Sequence, residues 1–306
     1  MPQSGPLFER AVSAPPVPSG LPLVIALTGF TDAGSAVSGL VDHLRDELDP
    51  TPLAVFSNDV LLDYRARRPV ISFDQDHLTD YRPPRLELSL AHDSVGQPFL
   101  ILAGYEPDFA WDGFAAAVRD FATGLAVSTV TWVHAIPMPV PHTRPIGTTV
   151  SGTRKDLTEA HSVWQPHTQV PATAGHLLEY RLSEEGFAIA GFVLLVPHYL
   201  GDTEYPAATL AALDSITVAT GLVFAGDDLR EQNREYLTKV EEQVAESEEL
   251  SRMLHGLEDR YDAYMAGSTL ATPIIHTGDL PSADELAAEL ERFLATRPLG
   301  DDDKRP

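Results

Sequence analysis

The sequence predicts an α/β protein, with helices on both faces of a central sheet and an added helical segment near the C-terminus. Three observations lead to this fold class. Short apolar runs recur along the chain, amphipathic stretches of helical period separate them, and residues 228–272 are rich in Glu and free of proline. Strands that alternate with helices in this way are typical of layered α/β architecture.

The first strand and helix show the pattern most clearly. Residues 21–27 form an apolar run, residues 28–35 form a turn with two glycines, and a helical period then begins at Ala36 and ends before Pro50. The apolar run is continuous rather than alternating. Both faces of this strand are therefore predicted to be covered, as in the centre of an α/β sheet.

The same alternation of apolar runs with stretches of helical period predicts the remaining core elements. Further apolar runs predict strands at residues 53–56, 98–103, 127–136 and 188–196. Apolar residues three and four apart predict helices at residues 111–125, 174–185 and 207–220. Residues 65–97 contain three prolines around short alternating patterns, so we expect an excursion with β structure there.

These elements divide the chain into four parts. Residues 1–20, with five prolines, are predicted to be a disordered lead, and residues 21–226 form the α/β core. Residues 227–268 form a helical appendage whose two apolar stripes are out of register, so Ser247 is expected to cap a second helix and produce a hairpin. Residues 269–306 are expected to hold one short helix and a disordered tail.

Composition limits the chemistry and the partners. The chain has no cysteine, which excludes disulfides, thiolate metal ligands and a cysteine nucleophile. Its 21 Lys and Arg against 45 Asp and Glu give a formal charge of -24, which opposes nucleic acid and anionic membranes. The longest apolar run, residues 187–197, is shorter than the roughly 20 residues that cross a bilayer. We therefore expect a cytoplasmic protein whose partners are proteins or small molecules, with no nucleic acid and no membrane.

Candidate ligand-binding residues lie in three loops that follow predicted strands. The first loop contains Gly29, Asp32, Gly34 and Ser35, and the backbone N–H groups at the start of the helix behind it can hold an anion. A phosphate loop of the Walker type requires Lys where Ser35 stands, so nucleotide hydrolysis has little support. The alternative is structural: the glycines relieve steric strain in a tight turn, and Asp32 caps the helix.

The second and third loops add side chains that donate hydrogen bonds. His142 and Arg144 follow the strand that ends near residue 136, and His198 and Tyr199 follow the strand that ends near residue 196. They suit an anionic ligand, with His198 as a general acid or base. The alternative is that each side chain ties down its own loop. Because all three loops follow apolar strands, we expect them to meet on one side of the sheet.

The sequence contains no evident catalytic or metal-binding set. No pair of base and nucleophile can be identified, so we assign no catalytic residue and expect no cofactor. His161 and His167 lack the spacing of a metal site, so we assign no metal. Glu106, Asp108 and Asp112 are interpreted as acids in the first turn of the helix that begins near residue 111.

Several short motifs carry a family resemblance. They are residues 29–34 (GFTDAG), 104–108 (GYEPD), 140–145 (VPHTRP), 196–199 (VPHY), 205–208 (YPAA) and 257–262 (LEDRYD). Together they resemble the proteasome assembly chaperone 2 family, in its actinobacterial branch, over residues 21–266. The resemblance implies a three-layer α/β/α Rossmann-like core related to nucleoside phosphorylases. It also implies self-association, which we expect to produce a trimer.

The resemblance and the residues together lead to two hypotheses. We predict a non-catalytic, oligomeric binding or assembly protein with a chaperone-like role and a protein client that the sequence does not identify. The alternative is an enzyme similar to nucleoside phosphorylases or hydrolases that acts on a small anionic or nucleoside-like ligand. A pocket lined jointly by Asp32, His142, Arg144 and His198 would favour the enzyme, whereas locally paired side chains would favour the binding protein.

Overall fold

The computed structural model describes residues 6–12, 14–164 and 167–267. The strands, in chain order, are β1 (Phe8–Arg10), β2 (Leu23–Thr28), β3 (Thr51–Phe56), β4 (Val70–Asp74), β5 (His77–Arg82), β6 (Leu86–His92), β7 (Pro98–Tyr105), β8 (Val130–Met138), β9 (Gly147–Gly152) and β10 (Ile189–Pro197). The helices are α1 (Ala36–Leu48), α2 (Asn58–Leu61), α3 (Trp111–Gly124), α4 (Lys155–His161), α5 (Ala174–Glu184), α6 (Pro206–Thr220), α7 (Asp227–Glu246) and α8 (Glu248–Met265). The short helix and tail predicted within residues 269–306 lie outside the described residues.

In the described part of the chain, eight strands form one mixed sheet in the order β1-β3-β6-β7-β2-β8-β10-β9. The four central strands, β7, β2, β8 and β10, run parallel to one another. The outer strands are paired antiparallel at both edges. Val24 of β2 pairs with Ile101 of β7 and with Thr131 of β8, so β2 lies in the middle of the parallel group.

Helices cover both faces of this sheet. On one face α1 and α6 pack together over a core that includes Val24, Val133 and Phe192. On the other face α3 and α5 pack over a core that includes Leu23 and Trp132. Successive side chains of a strand point to opposite faces, which explains why the central strands are apolar without alternation. The architecture is the predicted three-layer α/β/α core.

Two strands lie where the sequence analysis predicted none. β1 belongs to the segment 1–20 that we predicted to be disordered, so that prediction is wrong for Phe8–Arg10. Phe8 pairs with Phe56 in the sheet, and its ring centroid lies 4.8 Å from that of Phe121. Within β1 the sequence feature that could suggest a strand is one aromatic residue near prolines. The residues that pair with β1 lie far along the chain, so the local pattern does not reveal the strand. β9 pairs with β10 at the opposite edge, and its Gly, Thr and Ser residues conceal the strand pattern.

The predicted excursion between residues 65 and 97 supplies β6 to the main sheet. It also contains β4 and β5, which form a separate two-stranded sheet. Nearly all the side chains of β4 and β5 are exposed. This pair of strands therefore adds little to either core.

The predicted pair of C-terminal helices is present, with the break at Ser247. The Ser247 hydroxyl accepts the N–H of Leu250 at 3.3 Å, as expected for a cap at the start of α8. Val240 of α7 joins the core on the α6 face, and Leu254 and Leu257 of α8 are buried. The chain divides into two compact units, residues 1–258 and 259–306. The described part of the second unit consists of the end of α8 and the turn that follows it.

Candidate functional site

Three loops leave the carboxyl ends of the parallel strands β2, β8 and β10, and they meet at one edge of the sheet. Gly34 joins the first loop to the third. Its N–H donates to the carbonyl of Gly201 at 2.7 Å, and its carbonyl accepts the N–H of Tyr205 at 3.0 Å. Gly34 has a φ of 68°, and a Cβ there would lie 3.1 Å from the Cβ of Ala208. Backbone conformation and close packing both require glycine at this position.

His142 and Tyr199 join the second loop to the third. Tyr199 Oη accepts the backbone N–H of His142 at 2.7 Å and lies 2.8 Å from Nδ1 of the same residue. We assign the phenol proton to the bond with Nδ1, which leaves the imidazole proton on Nε2. Burial lowers the pKa of His142 and raises the pKa of Tyr199 to about 12, so both groups are neutral at neutral pH. The ring of His198 packs against Tyr199, with centroids 5.4 Å apart.

The Nε2 atom of His142 has an unmet bonding need. It is buried and has no hydrogen-bond partner in the described part of the chain. His142 and Thr143 line one side of an open groove of about 520 Å³, and the end of α7 and the start of α8 line the other. The groove mixes apolar residues such as Val244 and Leu254 with acids such as Glu241. A buried donor without an acceptor is costly, so a ligand acceptor at Nε2 would be favourable.

Arg144 ties the second loop to α8. Its Nη1 lies 3.5 Å from Oε1 of Glu258, and the same oxygen accepts the hydroxyl of Thr143 at 2.5 Å. The Arg144 side chain is 31% exposed and that of Glu258 is 21% exposed. The geometry therefore supports the structural alternative for Arg144, in which the guanidinium satisfies an acid of its own chain.

Asp32 caps helix α1 with both carboxylate oxygens. Oδ1 accepts the N–H of Val37 at 2.7 Å, and Oδ2 accepts the N–H and the hydroxyl of Ser38 at 2.9 and 2.6 Å. The carboxylate occupies the position at the helix N-terminus where an anion would bind. The N–H of Ser35 donates to the carbonyl of Asp32 at 2.9 Å, so it is also engaged within the turn.

Gly29 packs against Glu106. A Cβ on Gly29 would lie 2.0 Å from Oε2 of Glu106. This buried carboxylate directly follows β7; Oε2 accepts the N–H of Phe30 at 3.1 Å, and Oε1 accepts the N–H of Ala174 at 2.5 Å. The interpretation of Glu106 and Asp108 as acids in the first turn of α3 is therefore wrong, because α3 begins only at Trp111, whereas Asp112 does stand in that turn. Glu106 instead joins the first loop to the start of α5.

A second polar cluster, around His134, was missed by the sequence analysis. His134 Nε2 lies 3.1 Å from the hydroxyl oxygen of Thr31, and its ring centroid is 6.1 Å from that of His176. Burial lowers the pKa of His134 to about 4 and also lowers the pKa of His176. A cavity of about 10 Å³, lined in part by Glu106, His134 and Thr173, has room for one water molecule. The sequence feature that could have indicated this cluster was a histidine inside the largely apolar strand β8.

The structure thus brings the three loops together but bonds their polar groups locally. Asp32 binds α1, Arg144 binds Glu258, and His142 binds Tyr199. Within the described ranges, no cluster of three or more His, Asp and Glu side chains is arranged to hold a metal ion. The helices described in these ranges are also too short or too polar to cross a membrane.

Comparison with known proteins places these loops in a family. The model of the PAC2 family matches residues 26–244, which include the last three residues of β2, all three strand-end loops and most of α7. The chain belongs to the PAC2 family. The resemblance noted in the sequence is therefore confirmed, and the PAC2 match covers every candidate residue of the site. No curated protein matches the chain.

Solved structures of actinobacterial proteins agree with the PAC2 assignment. A protein of unknown function from Corynebacterium glutamicum ATCC 13032 is 36% identical, with a TM-score of 0.82, and the match covers 85% of this chain and 98% of that one. A protein of unknown function from Mycobacterium tuberculosis is 40% identical, with a TM-score of 0.80 and coverage of 87% and 92%. A PAC2 family protein from Streptomyces avermitilis is 25% identical, with a TM-score of 0.67 and coverage of 76% and 98%.

Proposed function

We propose that this PAC2 protein is a non-catalytic binding or assembly protein that works as a homo-oligomer. The observation that carries the proposal is the local pairing of the polar groups in the three strand-end loops. Asp32 is committed to the first turn of α1, Arg144 to Glu258, and the Nδ1 atom of His142 to Tyr199. An enzyme site would require several such groups to converge on one reacting atom.

Self-association is supported by an apolar face on the β4–β5 hairpin. Phe73 is paired with Leu78, and a β-bulge at Asp80 sets both Asp80 and Tyr81 opposite Ile71. Residues that oppose each other across two strands share a face, so Ile71, Phe73, Leu78 and Tyr81 lie on the same side. These four side chains are between 46% and 71% exposed. An isolated two-stranded hairpin is only marginally stable in water, so this face is favoured to pack against a partner.

A second copy of the chain is the partner that this face fits. The four side chains present an area on the order of a few hundred Å², comparable with the largest patches on monomers, which are often functional. Residues 65–85 contain five Arg and three Asp, whereas the whole chain has a charge of -24. Four of these five Arg flank the hairpin, whose own residues 70–82 hold one Arg and three Asp. The flanking positive charge complements the acidic surface of a neighbouring copy. If each hairpin contacts a different surface of the next copy, a rotation of about 120° between neighbouring copies closes the assembly as the expected trimer.

A protein client, and with it a chaperone-like role, is supported by what is known of similar folds. A proteasome-assembly chaperone homologue from Mycobacterium tuberculosis shares the fold at 23% identity and a TM-score of 0.69. An archaeal proteasome activator from Pyrococcus furiosus shares it at 16% identity and a TM-score of 0.57. Both are named for action on a protein assembly. We extend to this chain only the class of partner, because a shared fold does not fix the client.

The alternative, an enzyme acting on a small anionic or nucleoside-like ligand, is favoured by the groove beside His142. Its volume of about 520 Å³ falls in the range typical of small-molecule pockets. The Nε2 atom of His142 is buried without a partner, and a side-chain movement that turned it toward the groove would let it bond an acceptor of such a ligand.

Calorimetry and light scattering test the two functions together. Titration with inorganic phosphate and with nucleosides is expected to give no binding heat, and phosphate with nucleosides is expected to give no free base. Light scattering is expected to give a multiple of 33.2 kDa. Nucleoside turnover by a monomeric chain would overturn the proposal and establish the alternative.

A further inference from the structure

Helix α5 begins with a capping box that contains a histidine. The Thr173 hydroxyl oxygen accepts the N–H of His176 at 3.3 Å, and Nδ1 of His176 accepts the N–H of Thr173 at 3.1 Å. In the usual capping box, Glu or Gln stands at this third helical position. An imidazole differs from an amide because it gains a proton near physiological pH.

The bond between Thr173 and His176 requires an unprotonated Nδ1. Thr173 presents two donors to this atom: its N–H at 3.1 Å and its hydroxyl at 2.8 Å. We therefore assign the ring proton to Nε2. A proton on Nδ1 would set an N–H against the N–H of Thr173. It would also place positive charge at a helix N-terminus, where the helix dipole disfavours it.

The groups that face His176 come from its own helix and from the sheet. Burial lowers the pKa of His176, and the carboxylate of Glu179 on the same helix acts in the opposite direction. From β8, Trp132 packs edge-on with ring centroids 4.9 Å apart, and His134 lies 6.1 Å away. The carboxylate of Asp32, in the first loop, acts to raise the pKa of His134 against the larger effect of burial. The neutral form of His176 is thus maintained by burial, and Glu179 is the nearby charge that favours protonation.

The start of α5 is also bonded to the first strand-end loop through Glu106. The N–H of Ala174, the residue after Thr173, donates to Oε1 of Glu106 at 2.5 Å. Oε2 of Glu106 accepts the N–H of Phe30 at 3.1 Å, and Phe30 is 68% exposed. A displacement of the first turn of α5 therefore removes one of the bonds that hold Glu106, and Glu106 in turn holds the Phe30 loop.

We infer that His176 is a pH-sensitive helix cap, whose protonation opens the capping box of α5 and loosens the loop around Phe30. In the neutral state the cap, Glu106 and the Phe30 loop form one hydrogen-bonded unit. In acid the unit opens at the bond between Thr173 and His176, because protonation turns the acceptor Nδ1 into a donor. The device is separate from the local pairing in the second and third loops.

Hydrogen exchange of the full chain, read by mass spectrometry, tests the inference at about pH 7.5 and about pH 5, on either side of the ordinary histidine pKa of about 6.5. After correction for the intrinsic pH dependence of exchange, peptides that cover residues 173–177 and 29–31 should exchange roughly five- to tenfold faster in acid, the factor for one lost cap. His176→Gln should keep full protection at both pH values, because Gln completes the usual capping box and does not titrate. His134→Gln should keep the faster exchange of residues 173–177 in acid, because the capping box of α5 is intact in that variant.

Three results would overturn the inference. The first is that exchange in the native chain is no faster in acid. The second is that acid speeds exchange equally in the native chain and in His176→Gln. The third is that the acid response is lost in His134→Gln but kept in His176→Gln. If His176→Gln does not fold at the higher pH, His176→Glu supplies the other usual capping residue and is measured in its place. It too should be free of the acid response between the two pH values.

Discussion

Tyr199 and His142 hold two strand-end loops together through one phenol oxygen. Tyr199 Oη lies 2.7 Å from the backbone nitrogen of His142 and 2.8 Å from its Nδ1. His142 is 7% exposed, so water has little access to either bond. The two loops are therefore fixed to each other by a neutral side-chain pair within the chain, without a ligand between them.

We expect Tyr199→Phe to lower the free energy of unfolding by about 1–3 kcal/mol, the cost of leaving a buried polar group without its partner. Urea denaturation measures the loss. Tyr180→Phe is the matched control, because Tyr180 is 58% exposed and its change should stay within about 0.5 kcal/mol. Equal effects of the two substitutions would contradict a structural role for the Tyr199 hydroxyl.

Asp32→Ala is expected to lower the free energy of unfolding by about 1–2 kcal/mol, as for the loss of a helix cap. The substitution removes the acceptor of the N–H groups of Val37 and Ser38. Chemical denaturation again provides the measurement, with Asp42→Ala on the exposed side of the same helix as control. If Asp32→Ala leaves stability intact, the carboxylate is not needed as a cap and the ligand interpretation of Asp32 regains support.

Much of the fold could be predicted because its signals are local. The helix at Ala36–Leu48 and the strand at Pro98–Tyr105 follow from hydrophobic period and continuity, which neighbouring residues define. β1 could not be predicted, since Phe8 pairs with a strand more than forty positions away. The three loops were found because each follows an apolar strand. A structural role for Arg144 was one of the two interpretations, but its partner could not be predicted, because Glu258 lies on another element.

The hairpin face predicts which substitutions disrupt self-association. Phe73→Ser combined with Leu78→Ser is expected to reduce the mass in light scattering to that of one chain. The double substitution removes two large apolar side chains from the exposed face of the hairpin. Stability of the fold should change little, since neither residue belongs to a core. Val218→Ser is the control: it replaces an apolar residue that is 46% exposed on α6. An unchanged mass in the double variant would exclude this face as the interface.

Acid is expected to destabilise the fold through His134. Its pKa of about 4 in the folded chain lies below the ordinary value of 6.5, so the unfolded chain binds the proton first as the pH falls. Stability is fully present above about pH 6.5 and is lost toward pH 4, by up to about 1.4 kcal/mol per pH unit. Urea denaturation across this range should show a flatter curve for His134→Gln than for the native chain. Exposed His92→Gln should follow the native curve.

Gly29→Ala and Gly124→Ala are expected to change stability in opposite directions. At Gly29 an added Cβ would lie 2.0 Å from Oε2 and 2.6 Å from the Cβ of Glu106, so the carboxylate must move and weaken its bonds to Phe30 and Ala174. Overpacking of this kind costs about 1–3 kcal/mol.

At Gly124, the last residue of α3, nothing lies within 4 Å of an added Cβ, and alanine should raise stability by up to about 1 kcal/mol. Thermal unfolding of the two variants beside the native chain measures the difference. If Gly29→Ala unfolds at the native temperature, Glu106 adapts to the added methyl group and close packing is not the reason for glycine. In that case a ligand that approaches the backbone at Gly29 becomes the better explanation, and calorimetry with phosphate on the same variant would reveal its loss.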